Sequence, residues 1–370
     1  MSTVVFAPDS LKGSISAAAA ADALAHGWAE IRPDDTFVML PMADGGEGTI
    51  DAFAAAVAGA IRMPVTVVGP AGADTDAAWV LLPATADAPG GTGIVELAST
   101  SGIELLGERR LPWDAHTYGL GQAIAAALEH GVSRLVIGIG SSASTDGGVG
   151  MLTAMGVSFR DASGAPIPLG ARGLSQIASS RVAGLRPPPP GGTVVLSDVT
   201  NPLLGPRGAA TVFGPQKGLD TEGVARADAA LAHLAAVVPT IDPATPGAGA
   251  AGGTGFALLS WGARLVPGSE EIAQLIGLAD AVAEASVVIT GEGSFDGQSA
   301  AGKAPAHVAA LAQAAGVPVG LVAGRIAPDA DTSGFAASVS LTDLAGSSAA
   351  AIGDPARWLR AAGAELARTL

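Results

Sequence analysis

Short apolar runs alternate along the chain with long alanine-rich stretches of helical spacing. VVFA at 4–7 leads into SISAAAAADALAHGWAEI, and FVML at 37–40 leads into GTIDAFAAAVAG. RLVIGI at 134–139, TVVLSD at 193–198, SVVITG at 286–291 and VPVGLVAG at 317–324 are further strands, the last two separated by a helix expected from about Lys303 to Ala315. Such βα alternation predicts a parallel sheet covered by helices. VTVVG at 65–69, AAWVLL at 77–82 and GIVEL at 93–97 follow one another with no helix between and predict an antiparallel element. The pattern changes near residue 65 and resumes near 286. It predicts an α/β protein of two domains: a discontinuous parallel-sheet domain from 1–65 plus 286–370, and a second α/β domain, 66–285, inserted in it. LRPPPPGG at 185–192 reads as a stiff surface connection, because proline fixes φ and offers no ladder donor. ATPGAGAAGGTG at 244–255 reads as a flexible loop with the composition of a hinge.

Nearly half of the 370 residues are hydrophobic, yet no uninterrupted apolar run reaches the ~18 residues of a membrane span. The start, MSTVVFAPDSLKGS, lacks a basic segment followed by an apolar core, so a cytoplasmic enzyme is expected. The absence of cysteine removes disulfides, thiolate metal sites and a cysteine nucleophile. Nineteen Lys and Arg against thirty-four acids leave a net charge of −15, which argues against nucleic acid or an anionic membrane as partner. An anionic substrate must then be drawn by local cations and backbone N–H groups.

Three lysines occur, Lys12, Lys217 and Lys303, each in a stretch rich in Gly, Ser or Pro. A compact ammonium beside backbone that a ligand can approach closely suits a polyphosphate. APDSLKGS follows the first strand and presents Asp9, Ser10, Lys12 and Ser14 at the sheet edge, where Ser14 serves equally well as a helix N-cap. PMADGGEGT follows the second strand and carries Asp44 and Glu47, two carboxylates suited to Mg²⁺ held partly through water. LSDVTNPLLGPRGAATVFGPQKG supplies Asp198, Asn201, Arg207, Gln216 and Lys217 after a further strand. In TGEGSFDGQSAAGKAP, the spacing Gly297-x₄-Gly302-Lys303 approaches a P-loop, but Ala304 stands where that motif places Ser or Thr, and Gly297 lies too far beyond the strand. Glu292, Ser294, Asp296 and Ser299 still surround Lys303 with groups for metal, hydroxyls or phosphate.

GIGSSASTDGGVG at 138–150 admits two readings. Gly138, Gly140 and Ala143 match a dinucleotide fingerprint, with Asp161 where a ribose-binding acid would fall, so a dinucleotide-dependent oxidoreductase is an alternative. Ser141, Ser142, Ser144, Thr145 and Asp146 instead make a hydroxyl-rich loop suited to phosphate or a polyol.

APDSLKGS, MADGGEGT, GSSASTDGGVGML, SDVTNPLLGPRGAA with FGPQKG, and TGEGSFDGQSAAGKAP, in this order over nearly the whole chain, resemble the type I glycerate kinases. The resemblance implies a two-domain α/β enzyme, a discontinuous Rossmann-like parallel-sheet domain with a second α/β domain inserted, that transfers the ATP γ-phosphoryl group to glycerate in a cleft between the domains, with Mg²⁺. In bacterial members the expected product is 2-phosphoglycerate; a 3-phosphoglycerate-forming enzyme is the nearer alternative, and an enzymatically silent sugar-acid-binding regulator the more distant one. On this reading Lys12, Lys217, Lys303 and Arg207 neutralise phosphate charge, and Asp44, Glu47, Glu292 and Asp296 are candidates for Mg²⁺. Asp198 takes the substrate hydroxyl proton, and the glycerate carboxylate meets N–H groups within 141–146 or Arg325. Whether two copies pair as a homodimer is left open.

Overall fold

A computed structural model describes residues 1–238, 240–297 and 304–370. Lys303 and Ser299 therefore lie outside the described residues, and so does the heart of the P-loop-like segment. The strands are β1 (Thr3–Pro8), β2 (Thr36–Met39), β3 (Ile61–Val68), β4 (Asp74–Leu82), β5 (Thr92–Glu96), β6 (Arg134–Gly138), β7 (Ser158–Arg160), β8 (Ser179–Arg181), β9 (Thr193–Leu196), β10 (Arg264–Val266), β11 (Val287–Phe295), β12 (Val319–Ile326) and β13 (Ala337–Ser340). The protein is α/β, and its chain divides into two compact units.

The first unit comprises 1–44, 51–58 and 269–370. Its sheet runs β13-β12-β11-β1-β2, and every pairing is parallel. Renumbered within the unit this is the doubly wound order 2-1-3-4-5, whose switch point, the place where such sheets bind ligands, lies between β1 and β11. β1 is buried along nearly its whole length, as a central parallel strand covered on both faces must be. The helix Ala17–Ala29 is capped by the Ser16 hydroxyl, which accepts from the Ala19 N–H at 3.3 Å; the cap predicted at Ser14 falls two residues later in the chain. That helix packs against the C-terminal helix Pro355–Thr369. Their backbones approach so closely that a Cβ on Gly27 would collide with the Arg360 carbonyl. Val4, Phe6, Leu24, Trp28, Ile289 and Leu366 belong to the core between these layers.

The second unit comprises 45–50 and 59–268. Its sheet runs β10-β9-β6-β5-β4-β3: the four strands from β10 to β5 are parallel, while β3–β4 and β4–β5 are the antiparallel element expected from sequence. The compact units divide near 44–58 and at 268/269, where the sequence pattern placed its changes near 65 and 286. The physical reason is visible in the ladders: β3 pairs with β4 from Ile61 onward, so the chain has already entered the second sheet before the VTVVG run. The expected flexible loop around 244–255 is instead packed. Residues Ala250–Ser260 form a helix interrupted at Ala251, Gly252 and Gly253, which have φ of 52°, 67° and 91°. Gly252 and Gly253 are buried, and the Gly252 carbonyl accepts from the Gly147 N–H at 3.0 Å. Glycine serves contact here, since a Cβ on Gly252 would strike the Ser144 carbonyl.

Candidate active site

At the carboxyl edge of the first unit's sheet, β1 ends at Pro8 while β11 runs on beside β12 to Phe295. The Asp9 N–H donates to the Gly291 carbonyl at 2.8 Å, and from there the chain turns away, so Glu292 and Ser294 flank an opening. A pocket of about 500 Å³ occupies it, and its lining includes Asp9, Ser10, Lys12, Ser14, Asp44, Glu292, Ser294 and Arg325. Eight residues singled out from the sequence are thus gathered in one place, because each follows or ends a parallel strand of one sheet.

The charges of this pocket are unevenly exposed. Lys12 Nζ lies 3.3 Å from Asp44 Oδ2, and its side chain is 61% exposed. Asp9 is buried, and its carboxyl is pushed up to about 7, first by burial and then by the charge of Asp44, with Glu292 adding to the shift. The Ser10 N–H, 2.6 Å from Asp9 Oδ1, and the Lys12 ammonium pull the other way. Ser10 Oγ is buried with no hydrogen-bond partner among the described residues. An orphaned hydroxyl and three crowded carboxyl groups are what a bound cation and an oxygen-rich ligand would relieve.

Mg²⁺ fits this donor set. It keeps several waters and takes one or two carboxylates plus substrate phosphates. Among the described residues no group of three or more His, Cys, Asp or Glu is arranged to hold a metal ion by itself. Of the four acids expected at Mg²⁺, Asp44 and Glu292 line the pocket. Glu47 is exposed and belongs to the second unit, and Asp296 lies beyond the end of β11, outside the pocket lining.

The serine-rich loop after β6 is built differently. Asp146 is fully buried and saturated: Oδ2 accepts from Thr117 N, Thr117 Oγ1 and Gly150 N, and Oδ1 from Ser144 Oγ and Gly148 N, all within 2.8–3.2 Å. Lys217, 2% exposed, donates from Nζ to Ser142 Oγ at 2.7 Å and to the Ser144 carbonyl. Burial lowers its pKa to about 7, against the opposing charge of Asp146. Burial likewise holds His116 below its ordinary value, with Asp146 again opposing. Asp146 and Lys217 therefore brace the loop from within. Ser141 is its partly exposed member, held at φ 58°, where a non-glycine residue is strained. Thr145 Oγ1 is buried without a partner among the described residues.

After β9, Asp198 is exposed and its Oδ1 accepts from Gly268 N at 3.1 Å. Asn201 Nδ2 donates to the Arg207 carbonyl, leaving the Arg207 side chain exposed. Sequence reasoning missed Glu96, buried at the end of β5, whose Oε2 accepts from Ile50 N at 3.0 Å, and the pairing of Thr117 with Asp146. Glu96 is the last residue of β5 and the next to last of the predicted GIVEL run, and an acid at a strand end was the signal available.

The pocket at the edge of this doubly wound sheet has the position and size of a small-molecule site. The chain belongs to the glycerate kinase family, whose model matches residues 4–370, and is a kinase by that membership. It is 41% identical over 333 residues to the glycerate 2-kinase of Escherichia coli K12, covering 88% of this chain and 86% of that one. It is 40% identical over 335 residues to the glycerate kinase of Bacillus subtilis 168, covering 89% and 86%. The crystal structure of a candidate glycerate kinase 2 from Salmonella typhimurium LT2 is similar along 100% of this chain and 98% of its own, with a TM-score of 0.83 and 37% identity. The dinucleotide alternative fails on this ground and on local structure. Asp161, expected at a ribose, accepts instead from Ser163 N, Ser163 Oγ and Ala165 N within its own turn. Among the described residues no helix is long and apolar enough to cross a membrane.

Proposed function

We propose that the protein transfers the γ-phosphoryl group of ATP to glycerate, at the C2 hydroxyl of D-glycerate, releasing ADP and 2-phosphoglycerate. The observation that carries this reading is the gathering of Lys12, Arg325, Asp9, Asp44 and Glu292 around one pocket at the switch point of a parallel sheet. Phosphoryl transfer relies on positioning and on neutralising charge over the phosphate oxygens more than on covalent chemistry. Lys12 and Arg325 supply the cations, and Ser10 and Ser294 offer hydroxyls to oxygens of the ligand. Mg²⁺, held by Asp44 and Glu292, would shield the phosphate charge. Lys303 and Arg207 remain candidates for the same task, whereas Lys217 acts at one remove by holding Ser142 and Ser144 in place. An ATP-consuming step of this kind belongs in the cytoplasm.

For the substrate hydroxyl proton two acceptors are proposed. Asp198 is exposed, with one oxygen steadied by Gly268 N. Asp9, in the pocket and held near 7, is favoured by its match to neutral pH. Asp198→Asn and Asp9→Asn separate them: the true acceptor loses transfer while nucleotide binding persists, and full activity in either variant removes that residue.

The reading is tested by ADP release from ATP·Mg²⁺ with D-glycerate, the product resolved by phosphorus NMR. Glycerate-dependent ADP with a phosphomonoester on the secondary hydroxyl is expected. An ester on the primary hydroxyl would overturn the regiochemistry, and the absence of glycerate-dependent ADP would overturn the substrate.

A further inference from the structure

The lining of the first unit's pocket is not all polar. Besides the charged groups it includes Leu341, Ala351 and Ile352, contributed by the short helices Leu341–Ala345 and Ser348–Gly353. Leu341 and Ala351 are buried, whereas Ile352 is 61% exposed. Of the large hydrophobic side chains the fold leaves open, Ile352 is the one that lines this pocket. Two hydroxyls, Thr342 and Ser348, also line the pocket, 3.3 Å apart, with Thr342 Oγ1 donating to the Gly324 carbonyl at 2.8 Å.

Glycerate carries an oxygen on every carbon and has no surface that would gain from three aliphatic side chains. A pocket near 500 Å³ is also of the size that holds a drug-sized ligand, about 300–1,000 Å³, rather than a three-carbon acid. A nucleotide presents a flat apolar base, a hydroxylated sugar and an anionic tail, and the lining of this pocket offers aliphatic side chains, hydroxyls and cations to match them. We propose that the base and sugar of the ATP co-substrate seat on Leu341, Ala351 and Ile352, with Thr342 and Ser348 at the ribose and the phosphates directed toward Lys12. This rests on the kinase reading above and assigns the nucleotide, rather than the acid, to the aliphatic lining whose exposed member is Ile352. Burial of Ile352 beneath the base supplies affinity through apolar area removed from water.

Two measurements test it on the full chain. Steady-state kinetics of Ile352→Asp should show KM for ATP raised about tenfold, the effect of losing roughly 1.4 kcal/mol, with KM for glycerate within twofold, and Ile352→Leu should restore the ATP value. An unchanged ATP KM, or a rise in the glycerate KM instead, would overturn the assignment. Photolabelling of the unaltered protein with 2-azido-ATP should mark the peptide containing 341–352, and excess ATP should suppress the label. Labelling there without glycerate-dependent turnover would sustain the nucleoside seat and overturn the kinase reading; turnover without labelling there would do the reverse.

Discussion

The two charged clusters of this protein differ in how they treat their charges. In the first unit, Lys12 is mostly exposed, Ser10 Oγ has no partner among the described residues, and Asp9 is crowded by other acids. In the second unit, Asp146 accepts five hydrogen bonds and Lys217 is buried against Ser142 and Ser144. Written as sequence the two draw on the same residue types: APDSLKGS holds Asp, Ser, Gly and Lys in one loop, while the second cluster takes its Ser, Asp and Gly from 138–150 and its lysine from FGPQKG. Burial and hydrogen-bond saturation distinguish a cluster open to a ligand from one that fixes the shape of a loop.

The contrast can be broken most forcefully at Asp146. Asp146→Ala leaves five donors buried without an acceptor, and a loss of about 3–5 kcal/mol is expected, lowering the melting temperature by about 10 °C or more. A variant that melts like the parent would show that the network contributes nothing to the loop.

Lys217 sharpens the contrast through pH. Its pKa is about 7 in the folded chain and 10.5 in the unfolded one, so between these values the unfolded state binds more protons and stability rises with pH. Below pH 7 the cost of a buried charge is fully present. In Lys217→Met that cost is gone, so the melting temperature of the parent should gain on that of the variant as pH is raised from 7 to 10. A constant difference across the range would mean that Lys217 is charged throughout.

The smallest effect is expected at Ser10, and with opposite signs for its two readouts. Ser10→Ala removes a buried hydroxyl that lacks a protein partner, so stability should change by less than about 1 kcal/mol or rise slightly, while KM for ATP or glycerate rises about threefold to tenfold. A clear loss of stability with unchanged kinetics would assign Ser10 to the scaffold.

Much of this was legible in the residues. Parallel strands ending in motifs predict a shared edge, and that rule alone assembled Asp9, Lys12, Asp44, Glu292 and Arg325. The antiparallel entry into the second sheet was equally plain, since three β runs follow one another without a helix. What escaped depends on contacts distant in sequence. Lys217 and Ser142 are 75 positions apart, and no local pattern tells a lysine that will meet phosphate from one that will be buried under a loop. The glycines of 247–255 read as freedom because glycine in sequence signals permissive backbone, whereas here they permit contact with the Ser144–Gly147 turn. The aliphatic wall at Leu341 and Ile352 carried no motif, because an apolar residue facing a ligand and one facing a core look the same.

The most direct test of the central claim pairs turnover with melting for Lys12→Met. Glycerate-dependent ADP release should fall at least about 100-fold, the scale of losing one preorganised charge contact to the transferring group, while the melting temperature stays within about 2 °C of the parent because Lys12 is exposed. Turnover near that of the parent would contradict the assignment of phosphoryl transfer to this pocket.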